Sequence, residues 1–138
     1  MDVKKTFIIC KPDAVERGYV GEILSRVERK GLRIVAAELR TLTGETLSEH
    51  YAEHVDKPFY SDLVSFMTRG PVLVAVVEGP DDVVKVLRTM MGATNPTEAL
   101  PGTIRGDLAT EMTENLIHGS DSDESADREI KIFFPDLF

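Results

Sequence analysis

The chain has 138 residues, and 16 Lys+Arg against 24 Asp+Glu leave a formal net charge of −8. That length and 42% apolar residues predict a single domain over 1–138 with one sizeable core, and they exclude wholesale disorder. Such an acidic surface repels phosphodiester backbones and anionic headgroups, so neither a stable nucleic-acid partner nor a membrane is expected; a phosphate-bearing ligand would need locally placed cations.

Thr6–Cys10 is a short apolar run of β-formers ended by Pro12, and it reads as a buried strand. The run is too short for a secretory signal, and no stretch approaches a membrane span, so a soluble cytoplasmic protein is expected. Cys10 is the only cysteine, which excludes an intrachain disulfide and a Cys-rich zinc site. Val20, Ile23, Leu24 and Val27 fall on one face of a helix, with Gly31 at the place of a C-cap glycine. Leu32–Leu42 alternates loosely and predicts a second strand.

Leu47, His50, Tyr51 and His54 repeat the helical spacing, as do Tyr60, Leu63, Val64 and Met67, and Pro58 separates the two helices. Val72–Val77 is almost continuously apolar, the pattern of a strand covered on both faces. Gly79–Asp82 forms a turn into a helix whose core face is Val83, Val86, Leu87 and Met90. From Gly92 to about Glu114 the periodicity fades, and a connection that long inside one domain points to function. Asn115–His118 predicts a short last strand, and Ser122–Lys131 a last helix capped by the Asp121/Glu124 pair. With the middle helix pair set aside as an insertion, the order is βαββαβ. The predicted class is therefore α/β (an α+β sandwich) of ferredoxin-like pattern.

Neither a Walker A sequence nor GxGxxG occurs, so the usual glycine-loop phosphate cradles are absent. His118 stands at the end of the last strand, before Gly119 and Ser120. A neutral imidazole offers a nucleophilic nitrogen without prior deprotonation, and the glycine beside it leaves room for a bulky group. Glu129, on the following helix, could hold the other ring nitrogen. The same histidine also reads as an ordinary strand-end residue. Lys11 is projected from a strand end beside a proline. Arg105 sits between glycines in the long loop, and Arg88 lies late in its helix, where it would also suit the negative helix terminus. His50-Tyr51-Ala52-Glu53-His54 fits H-x-x-E-H, which on a continuous helix would put both histidines on one face for zinc. An amphipathic helix with two half-buried histidines has the same pattern. A non-catalytic ferredoxin-like interaction module is the third reading.

Over essentially its whole length the chain resembles the nucleoside diphosphate kinase family. The matching words are IICKPDAVERG, VGEILSRVERKGL, HYAEH with KPFY, FMTRGPV, MGATNP, ALPGTIRGD, and NLIHGSDS with ESADREI. The resemblance implies reversible transfer of a γ-phosphoryl group from a nucleoside triphosphate, typically ATP, to diphosphates such as ADP or GDP. The route it implies passes through a phosphohistidine, with Mg2+ held mainly by the nucleotide phosphates and by no protein ligand set. It makes His118 the nucleophile and Glu129 its orienter, held in turn by Ser120. Lys11 and Tyr51 approach the transferring phosphate, and Lys11 with Asn115 meets the sugar 3′-hydroxyl. Arg88, Thr94 and Arg105 clamp the phosphates, while Phe59 stacks on the base and Leu63 packs near it. The long loop becomes the nucleotide-binding loop, HYAEH belongs to the helix carrying Tyr51, and a tetrameric or hexameric homo-oligomer is expected.

Overall fold

The computed structural model describes residues 3–138. Four strands form one sheet: β1 (Lys4–Cys10), β2 (Arg33–Arg40), β3 (Val72–Gly79) and β4 (Ile117–Gly119). They lie in the order β2-β3-β1-β4, and every neighbouring pair is antiparallel. The helices are α1 (Pro12–Glu16), α2 (Val20–Arg29), α3 (Gly44–His50), α4 (Tyr60–Thr68), α5 (Val83–Met91), α6 (Ile104–Leu108) and α7 (Asp123–Phe133). The crossovers α2 and α5 with the four strands make the ferredoxin-like βαββαβ unit, and α3 and α4 are the inserted pair.

Side chains alternate across a strand, so the two central strands feed two cores. Ile8, Cys10, Ala75 and Val77 face α2 and α5, where Ile23, Val27, Val83 and Leu87 cover them. Phe7, Ile9, Val74 and Val76 face the other way, against Leu47 of α3, Phe66 and Met67 of α4, and Ile130 and Phe133 of α7. Phe7 and Phe133 stack with centroids 4.6 Å apart. Both faces of the central strands are therefore dry, as the unbroken VLVAVV run requires, while β2 at the edge is half-buried or exposed. Of the apolar C-terminal residues, Phe133 and Phe134 are buried in this core, whereas Leu137 and Phe138 are exposed.

Several local expectations need correction. Pro12 does more than end β1: it occupies the first turn of α1, where its fixed φ is favourable and no donor is lost. The spacing through His54 does not make one helix. α3 stops at His50, Tyr51 leaves helical geometry (φ −104°, ψ 37°), and Ala52–His54 is a single 3-10 turn. The Arg128 guanidinium takes the carbonyls of Glu49 and His50, which satisfies the helix end. α7 is capped by Ser122, whose hydroxyl accepts from Ser125 N at 3.0 Å, and not by the Asp121/Glu124 pair. The long connection holds a 3-10 turn at Pro96–Glu98 and α6, both too short to leave a periodic signal. Among the described residues no helix is long and apolar enough to cross a membrane.

Candidate active site

β4 pairs His118 with Ile9 of β1, which fixes the histidine backbone at the sheet end. From α7, Glu129 presents both carboxylate oxygens 3.2 Å from His118 Nε2. The Ser120 hydroxyl donates to Glu129 Oε1 at 2.6 Å, and Ser120 N is itself bound to Phe7 O of β1. Burial pushes the Glu129 carboxyl up, but the His118 contact, the Ser120 hydroxyl and nearby His50 outweigh it and hold the group below its ordinary range. The carboxylate therefore stays ionised, and Nδ1 is the ring nitrogen of His118 left free of it.

His50 completes this cluster, and sequence reasoning gave it no such place. Its ring meets that of His118 edge-on at 4.7 Å, and its Nδ1 lies 3.8 Å from Glu129 Oε2. The side chain is buried and neither nitrogen has a hydrogen-bond partner. Burial, reinforced by His118, pulls its pKa down to about 3, so it is neutral. His54, across the break after α3, instead sits beside the Tyr51 and Phe59 rings. No continuous helix carries both histidines, so the H-x-x-E-H reading fails. Among the described residues, the only His/Cys/Asp/Glu group compact enough for a metal is His50, His118 and Glu129. It is nitrogen-rich and unlike the all-oxygen shell that magnesium prefers.

The cations converge from three directions. Lys11, at the end of β1, donates to Asn115 Oδ1 at 2.8 Å, and Asn115 Nδ2 donates to Thr94 O at 3.0 Å. Burial and the Arg105 charge lower the Lys11 amine to about 8, against the opposing pull of Asp13. Arg88 donates to Gly119 O at 3.1 Å, so its late position in α5 serves β4 as well as the helix end. Arg105 is only 4% exposed and donates to the carbonyls of Gly92, Asn115 and Ile117. A guanidinium has five donors, so it ties the long loop to β4 and keeps donors in reserve.

These groups line a cleft of about 370 Å³. Lys11, Tyr51, Phe59, Leu63, Arg88, Thr94, Arg105, Asn115, His118 and Glu129 all reach it, and Ser120 lies behind Glu129. Phe59 is half exposed at the rim, whereas burial raises the Tyr51 hydroxyl well above its ordinary pKa. Gly119 lines the cleft and serves packing as well. A Cβ there would meet Met91 Sδ at 2.5 Å, so the glycine admits α5 against β4. Arg128 also lines the cleft and was missed, because a single arginine in a charged helix carries no signal of its own.

The chain matches the family model described as "Nucleoside diphosphate kinase" over residues 4–137. It is 55% identical over 135 residues to a nucleoside diphosphate kinase of Thermobifida fusca, covering 98% of this chain and 99% of that one. A Moorella thermoacetica relative of the same name is 57% identical, with 97% and 96% covered. Among solved structures, a halophilic nucleoside diphosphate kinase from Halobacterium salinarum in complex with CDP superposes with a TM-score of 0.93. It is 47% identical, and the match covers 98% of this chain and 90% of that one.

Proposed function

The chain belongs to the nucleoside diphosphate kinase family, a family of phosphotransferases, and from that membership we propose the residues that carry out its transfer. The reaction is reversible movement of a γ-phosphoryl group from a nucleoside triphosphate to a nucleoside diphosphate. His118 Nδ1 attacks the γ-phosphorus, an N–P bond forms, and the bond to the β–γ bridging oxygen breaks. The diphosphate leaves with that electron pair. A second diphosphate then takes the phosphoryl group by the reverse step. Throughout, Nε2–H stays on Glu129, which fixes the tautomer and offsets the positive charge that grows on the ring.

The observation that carries this reading is the engagement of His118 Nε2 by Glu129 at the floor of a cleft that Lys11, Arg88 and Arg105 also line. Phosphoryl transfer asks chiefly for positioning and charge stabilisation, and dispersed cations supply both despite the net charge of −8. Lys11 and Tyr51 attend the transferring group, Arg88, Thr94 and Arg105 the phosphates, Lys11 and Asn115 the sugar, and Phe59 and Leu63 the base. The substrate is the magnesium complex of the nucleotide, in which the metal neutralises phosphate charge. In this reading Mg2+ rides mainly on the nucleotide phosphates. A cytoplasmic homo-oligomer, tetramer or hexamer, is part of the proposal. Exposed Leu137 and Phe138 are apolar groups that a subunit interface would cover.

Incubation with γ-labelled ATP tests the route. Acid-labile, alkali-stable label that disappears in His118→Ala is expected. Nucleotide binding with no label on the protein would return the non-catalytic reading. Sedimentation near 15.3 kDa at micromolar protein would refute the oligomer.

A further inference from the structure

Leu116 is the one non-glycine residue with positive φ among the described residues, at 76°. Ile117 N closes a 2.9 Å hydrogen bond to Asn115 O across it. Residues 115–117 thus form the rarer, strained kind of γ-turn, with a bulky side chain where the backbone favours glycine. Three hydrogen bonds pin this turn to the segment that follows β1. Lys11 N donates to Leu116 O at 2.9 Å, Lys11 Nζ donates to Asn115 Oδ1 at 2.8 Å, and Leu116 N donates to Asp13 Oδ2 at 3.0 Å. Asp13 is the one side chain in this set that lies outside the cleft. It sits in the first turn of α1, is 1% exposed, and leaves its other carboxylate oxygen without a partner.

We infer that Asp13 is a positioning residue for phosphoryl transfer, its carboxylate holding Leu116 in the γ-turn that aims Asn115, Lys11 and Arg105 at the nucleotide. The turn points Asn115 O at both Ile117 N and Arg105 Nε, and the Asn115 side chain at both Lys11 and Thr94. It also sets the direction in which the chain enters β4, two residues before His118. With ordinary negative φ at Leu116, none of these vectors survives. A burial this deep makes the Leu116 N–H costly to leave unpaired, and Asp13 is its acceptor.

The inference rests on the transfer route proposed above, and the test separates the two. Asp13→Asn keeps an acceptor in place and removes the charge, whereas Asp13→Glu keeps the charge and displaces the acceptor by a methylene. Below each melting temperature, kcat/KM of Asp13→Asn is expected within about 3-fold of wild type, since the contact geometry is retained. Asp13→Glu and Asp13→Ala should fall about 10- to 100-fold, and their preference for a 3′-hydroxyl over a 3′-deoxy acceptor should shrink. Leu116 amide exchange should be slow in wild type and Asp13→Asn, and fast in the other two. If Asp13→Ala does not fold, the Asn and Glu pair decides. An active Glu variant beside an impaired Asn variant would overturn the inference, because charge and not the turn would then be what Asp13 supplies. Unchanged Leu116 exchange in a folded Asp13→Ala would overturn it too. Absence of turnover in wild type would instead defeat the transfer route, and the exchange measurements would still decide whether Asp13 holds the turn.

Discussion

The Ser120 hydroxyl donates a 2.6 Å hydrogen bond to Glu129 Oε1, one of the two oxygens that stand 3.2 Å from His118 Nε2. Ser120 therefore spends its proton on the carboxylate, which leaves Glu129 fully ionised toward the imidazole. The effects should be graded. His118→Ala loses label and turnover altogether. Glu129→Gln, which cannot hold the ring in the same way, should lose about 10²-fold in kcat. Ser120→Ala removes one hydrogen bond and should lose about 10-fold or less. Rapid-quench measurement of labelling from γ-labelled ATP ranks the three, and a Ser120→Ala rate below that of Glu129→Gln would reverse the assigned order.

His50 makes stability depend on pH. It is held neutral in the fold with a pKa of about 3 but takes a proton at its ordinary 6.5 when unfolded. The unfolded chain binds the extra proton between those values, so His50 costs stability as pH falls from 6.5 toward 3, at up to about 1.4 kcal/mol per pH unit. Burial disfavours its charge most, His118, Arg128 and Lys11 act the same way, and Glu129 alone opposes them. His50→Phe, set among Phe7 and Phe133, should flatten the fall of Tm below pH 6.5 and still accept label at His118. An unchanged slope in a denaturation series would contradict this.

Lys11 should impose an alkaline limb on kcat/KM. Its amine is charged below a pKa of about 8, lowered by burial and by Arg105, with Asp13 and the neutral His50 nearby. Affinity for phosphates should fall as pH rises through that value in the free enzyme. A bound nucleotide polyanion favours the charged amine, so the limb in kcat should lie higher. A kcat/KM profile flat to well above pH 9 would show that Lys11 is not the titrating cation.

Arg105 and Arg88 should separate by stability although both are proposed to hold phosphates. Arg105→Ala strands the buried carbonyls of Asn115 and Ile117 and the half-buried one of Gly92, and should cost about 3 kcal/mol or more in urea unfolding. Arg88→Ala loses one bond to Gly119 O and should cost about 1 kcal/mol. Each should lower kcat/KM by about 10²-fold, far more than the exposed Lys30→Ala or Arg33→Ala. Near-normal turnover in Arg105→Ala would remove it from the phosphate set.

The base should be read weakly. Phe59 and Leu63 offer stacking and contact area, which every purine and pyrimidine can use. Across ADP, GDP, CDP, UDP and dTDP, kcat/KM should spread by about 10- to 100-fold, the scale of apolar contacts. On the proposed assignment of Lys11 and Asn115 to the sugar, loss of the 3′-hydroxyl should cost more than loss of the 2′-hydroxyl, since only the former group is their proposed partner. A coupled assay with 2′- and 3′-deoxy acceptors measures this. A 3′-deoxy diphosphate used as well as its parent would misplace both residues.

The three long strands and the long helices were legible in the residues because hydrophobic period reports which face is dry, and each of those elements is long enough to show a period. The families of side chains that meet at the cleft were legible through their words, KPD, PGTIRGD and NLIHGSDS. What lies between periods was not. α1 and α6 are five residues each, and the end of α3 depends on Arg128 reaching back from α7. That Gly119 also admits the Met91 sulfur of α5 was not legible either.

By itself the sequence determined the βαββαβ order, the two-faced core and the residue types the chemistry needs, since each is a property of local spacing and composition. The tertiary structure alone decided that His50 parts from His54 and joins His118 and Glu129, and that the lone acid Asp13 meets Leu116 N. Those relationships join residues 68 to 103 positions apart, as from His50 to His118 and from Asp13 to Leu116. No local period encodes such a contact; it exists because antiparallel pairing brings β1 beside β4 and packing lays α7 against one face of the sheet.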